Sequence, residues 1–313
     1  MQYGDSTPAP RRDRSRRKRQ LARRRLAVLV IAVLVVVAIV AAVVVSRRGG
    51  EAKAGASGPA QGKTSSSSSS SGAGASPSPS PTIAPPKVWE ASVSKPVRVW
   101  VGGDSMGGEL GWGVGPLLEK TKVLKPTLYY KDSTGICRWD FFDWGRQMES
   151  VMKSARPDAV VLMMGTNDTQ SVWQDGSWIA YGDPKWKKVY QKRVSDMTAT
   201  ALDGGARRVY WVGMPIMAEG WRNSRMKFIN KIVQKAVAEH PGAQYIDSWA
   251  LFTDANGDYV PSLRLGDGVH FTVEGQQILG KAVMKAIKQD WLPNGVPTPA
   301  PSPTPSPSSS SSI

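Results

Sequence analysis

The sequence predicts an α/β fold in which a mainly parallel sheet lies between two layers of helices. Between residues 97 and 290, segments with strand character alternate with segments of helical spacing. The run 159–163 is apolar at every position, which is typical of a strand covered by helices on both faces. Because parallel strands are joined by right-handed crossovers through helices, this alternation favours a three-layer α/β/α sandwich.

The predicted elements follow one another in a regular order. The predicted strands are 97–101, 127–130, 159–163, 208–212 and 244–246. The predicted helices are near 107–120 and at 140–155, 184–203, 222–239 and 273–290. Pro184 opens the third helix, and Gly204 and Gly205 end it, as expected from the preferences of these residues at helix ends.

Composition divides the chain into five parts. Residues 1–25 are polar and very basic, 26–45 are wholly apolar, 46–86 are rich in Ser, Ala, Gly and Pro, and 293–313 are almost entirely Pro, Ser and Thr. The segments 46–86 and 293–313 cannot bury enough apolar area to fold, so we expect a disordered linker and a disordered tail. The remainder, 87–292, has globular composition and is long enough for one hydrophobic core.

The net charge of +16 is concentrated outside the globular part. Residues 1–25 carry +8 and residues 46–86 carry +3, which leaves +5 for the rest of the chain. The basic run stands directly before an apolar segment, where it is expected to orient a membrane span and to contact anionic headgroups. We therefore expect no nucleic-acid partner.

The apolar segment 26–45 predicts a transmembrane helix. Its 20 residues include no charge, Pro or Gly, and a helix of this length rises about 30 Å, the thickness of the hydrocarbon core. A cleavable signal peptide usually has a shorter apolar region and a small-residue cleavage site, so an uncleaved single-pass anchor is favoured. Ten basic residues precede the span and two follow it. This asymmetry predicts a cytoplasmic N-terminus and an extracytoplasmic globular domain at the cell membrane.

Two sequence features argue against specific stabilising sites, the first against a disulfide and the second against a calcium loop. The single cysteine, Cys137, excludes an intramolecular disulfide and is expected to be half-buried in a loop. The segment 254–258 has the spacing of a calcium loop, but Tyr259 and Leu265 stand where such a loop needs Gly and Glu. We expect a simple turn there, and neither a metal nor an organic cofactor in the protein.

Polar residues follow the predicted strands at the points where the strands end. Ser105 follows the first strand, Asn167 follows the third, and Asp267 and His270 come after the last strand and a connecting segment. Loops at the carboxyl ends of parallel strands meet at one edge of a sheet. A serine hydroxyl needs an adjacent base to act as a nucleophile, and an imidazole is suited to that task. Of the two histidines, His240 lies in a helix-end context and is expected to be structural.

These segments resemble the four blocks of the SGNH (GDSL-like) hydrolases, in the order of that superfamily. The blocks are GDS at 103–105, a mid-chain glycine at Gly135, GxND at 165–168 and DxxH at 267–270. Met106 stands where the first block commonly has leucine. The wider sequence resembles a bacterial branch catalogued only as a domain of unknown function. The resemblance covers essentially all of 97–290 and implies a flavodoxin-like sheet.

The resemblance also implies a role for each matching residue. Ser105 would be the nucleophile, His270 the base that takes its proton, and Asp267 the group that orients the imidazole. The oxyanion would be held by the backbone N–H groups of Ser105 and Gly135 and by the side-chain amide of Asn167.

The sequence Gly103–Gly107 also fits G-x-S-x-G, the nucleophile elbow of α/β-hydrolases. That interpretation is disfavoured because the serine follows the first strand of the domain, and because Asp267 and His270 lie three residues apart on one loop.

Tryptophan is abundant, with twelve residues. Most are expected to pack in the core, and some could form an apolar or sugar-stacking wall beside the serine.

The expected function is hydrolysis of an O-acyl ester, acetyl above all, by a serine esterase without a cofactor. Its substrate would be an acylated small molecule or a cell-envelope carbohydrate. Two alternatives stay open at this point. One is an O-acyltransferase that moves acyl groups to wall polysaccharide, and the other is an inactive, stalked carbohydrate-binding protein.

Overall fold

The computed structural model describes residues 84–297. The predicted anchor at 26–45, the basic segment before it, all but the end of the linker and most of the tail lie outside these residues. Within 84–297, no helix combines the length and the apolarity needed to cross a membrane.

The centre of the domain is a parallel sheet of five strands. They are β1 (Val97–Gly103), β2 (Leu124–Tyr130), β3 (Ala159–Met163), β6 (Arg208–Val212) and β7 (Ala243–Ile246). Their order across the sheet is β2-β1-β3-β6-β7. All five residues of β3 are buried, as predicted for the central strand of a sheet covered on both faces. The predicted α/β class with a mainly parallel sheet is confirmed.

Within residues 84–297, five α-helices connect and cover the strands. They are α1 (Ser105–Lys120), α2 (Trp144–Ser154), α3 (Pro184–Asp203), α4 (Gly220–Ala238) and α5 (Val273–Trp291). Helix α1 packs against α5, whereas α3 packs between α2 and α4. These two groups form the two helical layers, and the largest fully buried side chains include Trp144, Trp186, Trp211 and Trp291.

The main local differences from the sequence-based expectation concern β2, α2 and the segment after β3. Strand β2 begins at Leu124 rather than at 127. Helix α2 begins at Trp144 rather than at 140, because the Asp143 side chain accepts a hydrogen bond from the Arg146 N–H and caps the helix there. An unpredicted hairpin, β4 (Val172–Gln174) with β5 (Ser177–Ile179), follows β3. Asp175 and Gly176 both have positive φ, as a two-residue hairpin turn requires.

The strand order places the functional loops. From β1 the chain passes to β2 at one edge, then returns across β1 to β3 and continues in the other direction. In open parallel sheets, such a reversal opens a crevice at the carboxyl ends of the two strands beside it. Those strands are β1 and β3, which run into Ser105 and into the loop 164–168.

Candidate active site

Ser105 is held at the first position of α1 by the residue before it. The Asp104 side chain caps the helix by accepting a hydrogen bond from the Met106 N–H at 2.9 Å. The same carboxylate accepts hydrogen bonds from the Gly165 N–H at 3.0 Å and from the Thr166 hydroxyl at 3.3 Å. Asp104 therefore joins the loop after β1 to the loop after β3. Burial raises the pKa of its carboxyl to about 7, against the opposing effect of the Gly165 N–H.

Ser105, His270 and Asp267 form a hydrogen-bonded row. His270 Nε2 lies 2.9 Å from Ser105 Oγ, and His270 Nδ1 lies 2.6 Å from Asp267 Oδ2. When Nδ1 carries the proton and donates it to Asp267, Nε2 presents a lone pair to the serine hydroxyl. The predicted proximity of these three side chains is thus present.

The loop that carries His270 is folded around Asp267. Asp267 Oδ1 accepts hydrogen bonds from the backbone N–H groups of Val269 at 2.9 Å and His270 at 3.0 Å. The carboxylate that contacts the imidazole is therefore also fixed by the backbone of the same turn. The side chains remain accessible, with exposed fractions of 33% for His270 and 49% for Asp267.

The charges of the site shift two pKa values in opposite directions. Burial acts to raise the pKa of Asp267, but the hydrogen bonds from His270 and Val269 outweigh it and lower the value to about 2. Burial acts to lower the pKa of His270, but the hydrogen bond with Asp267 and the negative charges of Glu109, Asp267 and Asp104 raise it overall. The site thus combines an ionised carboxylate with an imidazole of increased proton affinity.

The loop after β2 lies beside the serine. Asn167 donates a side-chain hydrogen bond to the Thr134 carbonyl at 2.9 Å, and Ser133 adopts the left-handed backbone conformation with φ of 61°. Asp168 accepts hydrogen bonds from the N–H groups of Ile136 and Cys137, both at 2.9 Å. The loops after β2 and β3 are therefore connected by these three hydrogen bonds.

A cavity of 310 Å³ opens onto Ser105 and His270. It is lined by Ser105, Glu109, Trp112, Asp132, Ser133, Asn167 and His270. The backbone N–H of Ser105 lies in the first turn of α1. N–H groups in the first turn of a helix have no preceding helical carbonyl as acceptor. Gly135 is buried beside the cavity, against Asp168, and is not among the lining residues. The roles of Ser105, Gly135 and Asn167 as oxyanion donors stay predictions.

His240 forms a hydrogen bond of 2.7 Å with Ser195 on α3, away from the triad, as expected of a structural histidine. In the turn 254–258, the Asp254 carboxylate accepts hydrogen bonds from the N–H groups of Asn256 and Asp258. Cys137 is fully buried rather than half-buried. Among residues 84–297, no group of acidic, histidine or cysteine side chains is arranged to hold a metal.

Three buried carboxylates of the site were not expected from sequence. They belong to Asp104, Glu109 and Asp168. For two of these carboxylates, the local sequence contains a signal that could have indicated a structural role. Asp104 has a residue type favoured at helix N-caps, and Glu109 stands among apolar and small residues on a helix. Asp168 offers no comparable signal, because all its side-chain partners lie more than twenty residues away.

The sequence model of a family described as "Protein of unknown function (DUF459)" matches residues 98–286. This match confirms the expected resemblance to a family of unknown function. The chain is also similar to an acetylxylan esterase of Xylanibacter ruminicola, with 28% identity over 144 residues, 42% of this chain and 29% of that protein. The chain thus spans less than a third of that relative.

The chain is also similar to two solved structures. One is an alpha/beta hydrolase enzyme from the metagenome of Lake Arreo, Spain, with 17% identity, a TM-score of 0.48 and coverage of 61% of this chain and 94% of that one. The other is a GDSL-like lipase from Bacteroides thetaiotaomicron, with 18% identity, a TM-score of 0.45 and coverage of 64% and 91%.

Proposed function

The chain belongs to the family described as protein of unknown function (DUF459), and we propose that it is a serine hydrolase that cleaves an O-acyl ester. The observation that carries the proposal is the row Ser105–His270–Asp267, with contacts of 2.9 and 2.6 Å. These are the distances at which a base can take a proton from a nucleophile and be oriented by a carboxylate.

In the first step, the Ser105 oxygen attacks the ester carbonyl while His270 Nε2 takes the hydroxyl proton. A C–O bond forms, and the carbonyl electron pair moves to its oxygen. Asp267 holds the Nδ1 proton and supports the positive charge of the imidazolium. Its low pKa, about 2, keeps it ionised throughout the neutral range.

The negative oxygen of this intermediate needs preorganised donors. The N–H of Ser105 and the side-chain amide of Asn167 both belong to residues that line the cavity. Asn167 has a second N–H besides the one that it donates to Thr134. The third proposed donor is the N–H of Gly135. Each such donor typically lowers the barrier by about 3–4 kcal/mol.

The acyl-enzyme then forms and is hydrolysed. The imidazolium gives its proton to the leaving alcohol oxygen as the ester C–O bond breaks, which leaves the acyl group on Ser105. His270 next takes a proton from water, whose oxygen attacks the acyl carbon. The second intermediate collapses as His270 returns the proton to Ser105, and the carboxylic acid leaves.

We propose an acetyl ester of a carbohydrate as the substrate. The cavity is small, at 310 Å³, and one of its walls is Trp112. Half of the Trp112 surface is exposed, and its ring meets Tyr130 edge-on with centroids 5.6 Å apart. An exposed indole offers a flat apolar surface on which a sugar ring can stack. The partly similar relative from Xylanibacter ruminicola is named for an acetylated polysaccharide.

The proposed location of the reaction is the outer side of the cell membrane. The sequence of 26–45 supports an anchor, and the basic segment before it supports an outward orientation of the domain. In that location, cell-envelope carbohydrate is the acylated polymer that the domain would meet. Residues 46–86 would separate the domain from the membrane surface.

Covalent labelling tests the proposal. The full chain is incubated with a fluorophosphonate probe, and its turnover of p-nitrophenyl acetate is measured. We expect labelling and turnover in the wild type and neither in Ser105→Ala. The matched control is Ser195→Ala, which removes the other serine that bonds to a histidine and should retain both.

Labelling of Ser105→Ala at the wild-type rate would exclude Ser105 as the nucleophile. A parallel incubation with an acetylated and an unacetylated oligosaccharide distinguishes hydrolysis from transfer. Free acetate is expected as the product. An acetyl group transferred to the acceptor sugar, without release of free acetate, would establish the acyltransferase alternative.

A further inference from the structure

Glu109 is a buried carboxylate next to the triad. It follows Ser105 by four residues on α1, so the two side chains lie on the same face of the helix. Only 5% of Glu109 is exposed, and it lines the cavity that contains Ser105 and His270. Burial of a carboxylate is costly unless it has partners, so its contacts indicate what it does.

The partner of Glu109 is the backbone directly after the base. Glu109 Oε2 accepts a hydrogen bond from the Phe271 N–H at 2.9 Å, across 162 residues of sequence. Helix α1 also carries Ser105. The hydrogen bond therefore connects the element that bears the nucleophile to the loop that bears the base.

The backbone around His270 is held from other directions as well. Arg264 Nη1 donates to the Val269 carbonyl at 2.6 Å, and the Leu265 N–H donates to the His270 carbonyl at 2.7 Å. Arg264 itself is anchored by a bond of 2.8 Å to the Ile216 carbonyl. These bonds fix the loop to itself and to the segment after β6, whereas the bond from the Phe271 N–H to Glu109 fixes the loop backbone to α1.

We propose that Glu109 is a positioning residue that holds His270 against Ser105 and whose negative charge supports the imidazolium formed during catalysis. This inference rests on the proposed function, since it assigns Glu109 to the proton transfer described above. Glu109 acts through the Phe271 N–H and through its charge, and it exchanges no proton with the substrate.

The charges near the imidazole are consistent with this role. His270 faces Asp267 from its own loop, Glu109 from α1 and Asp104 from the cap of α1, while Asp132 lines the same cavity. Arg264 is the positive side chain that faces Glu109. The negative charge of Glu109 helps to raise the pKa of His270. Burial raises the pKa of Glu109, and the Phe271 N–H and the positive charges of His270 and Arg264 oppose that rise.

Two substitutions of Glu109 separate the effect of its charge from the effect of its position, and a third substitution is the control. Glu109→Gln keeps an acceptor for the Phe271 N–H but removes the charge. Glu109→Asp keeps the charge on a side chain one methylene shorter, which moves the acceptor away from that N–H. Glu119→Gln is the matched control, because Glu119 is an exposed carboxylate on the same helix.

Two measurements are made on the full chain of each variant. The first is kcat/KM for p-nitrophenyl acetate as a function of pH. The second is the NMR titration of the histidine rings, which requires no turnover. The chain has two histidines, and His240, which bonds to Ser195 rather than to the triad, provides the internal reference signal.

In Glu109→Gln, we expect a roughly 10- to 100-fold loss of kcat and a fall in the pKa of His270 on both measurements. In Glu109→Asp, the pKa of His270 should stay near that of the wild type, whereas kcat should fall. A structural role alone predicts that Glu109→Gln is silent in both, and this result would overturn the inference. If Glu109→Gln does not fold, an unchanged kcat in Glu109→Asp would overturn it.

The outcomes also separate this inference from the proposed function. A wild type without turnover or labelling, but with a His270 pKa that falls in Glu109→Gln, would remove the proposed function and keep the coupling of Glu109 to His270. An active wild type with an unchanged His270 titration in Glu109→Gln would remove only the role of Glu109.

Discussion

The carboxylate of Asp168 occupies the space where a Cβ atom on residue 135 would stand. Because residue 135 is glycine, the loop after β2 approaches the carboxylate closely enough for Ile136 and Cys137 to donate their N–H groups to it. The position of the Gly135 N–H is therefore set by a carboxylate on the neighbouring loop. This arrangement leads to the first two predictions.

Gly135→Ala should lower both stability and activity. The new methyl group would overlap Asp168 Oδ1, and overpacking of this kind costs about 1–3 kcal/mol. Thermal unfolding and p-nitrophenyl acetate turnover measure the two effects. The control is Gly220→Ala at the start of α4, where the added methyl group would have no atom within 4 Å apart from its chain neighbours and the backbone of its own helix. It should be neutral or stabilise by up to about 1 kcal/mol. Equal melting temperatures for Gly135→Ala and the wild type would contradict the prediction.

Asp168→Ala should lower the free energy of unfolding by at least about 3 kcal/mol. It leaves three buried donors without an acceptor, namely the N–H groups of Ile136 and Cys137 and the Tyr190 hydroxyl. Urea denaturation measures the loss. The exposed Asp196, which pairs with Lys192 one turn away, provides the control, and its replacement by Ala should cost less than about 1 kcal/mol. Similar losses in the two variants would argue against a central role for Asp168.

Asn167→Ala should reduce kcat by about 10²- to 10³-fold with little change in KM, because an oxyanion donor acts mainly in the transition state. Steady-state kinetics with p-nitrophenyl acetate test this expectation. Asn256→Ala, in an exposed turn, should leave both constants unchanged. A rise in KM at constant kcat would instead assign Asn167 to substrate binding.

The activity of the wild type should fall at low pH through a group with a pKa above 6.5, the ordinary value for histidine. His270 must be neutral to accept the Ser105 proton, and its raised pKa moves the loss of activity to higher pH. Asp267→Asn keeps an oxygen that can accept a hydrogen bond but removes the negative charge that helps to raise the pKa of His270. In that variant the acid limb of kcat/KM should move to lower pH, and kcat should fall about 10⁴-fold. If the pKa of the acid limb were the same in Asp267→Asn as in the wild type, Asp267 would not contribute to the pKa of His270.

Sequence periodicity predicted the elements whose signals are local. The strands at Ala159–Met163 and Arg208–Val212 and the helix at Pro184–Asp203 have the predicted bounds. Their ends carry strong local signals, such as the proline that opens α3. The hairpin after β3 was missed because each of its strands has three residues, too few for an alternating pattern to be recognised.

The order of the four blocks and the residue types within them predicted which side chains would meet. Ser105, Asn167 and His270 follow elements of a parallel sheet, and the carboxyl ends of such strands share one edge. The chain topology therefore brings them together without any knowledge of their contacts. The sequence by itself determined the fold class and the candidate nucleophile, base and acid.

Only the tertiary structure decided how these side chains are held. Asp104, Glu109 and Asp168 accept hydrogen bonds from backbone N–H groups 61, 162 and 32 residues away. Periodicity reports the face of a helix or strand on which a residue lies, but the partner of a buried carboxylate depends on which loops the fold brings into contact. A buried charge must find such partners to be tolerated, and they become visible only when the strands are assembled.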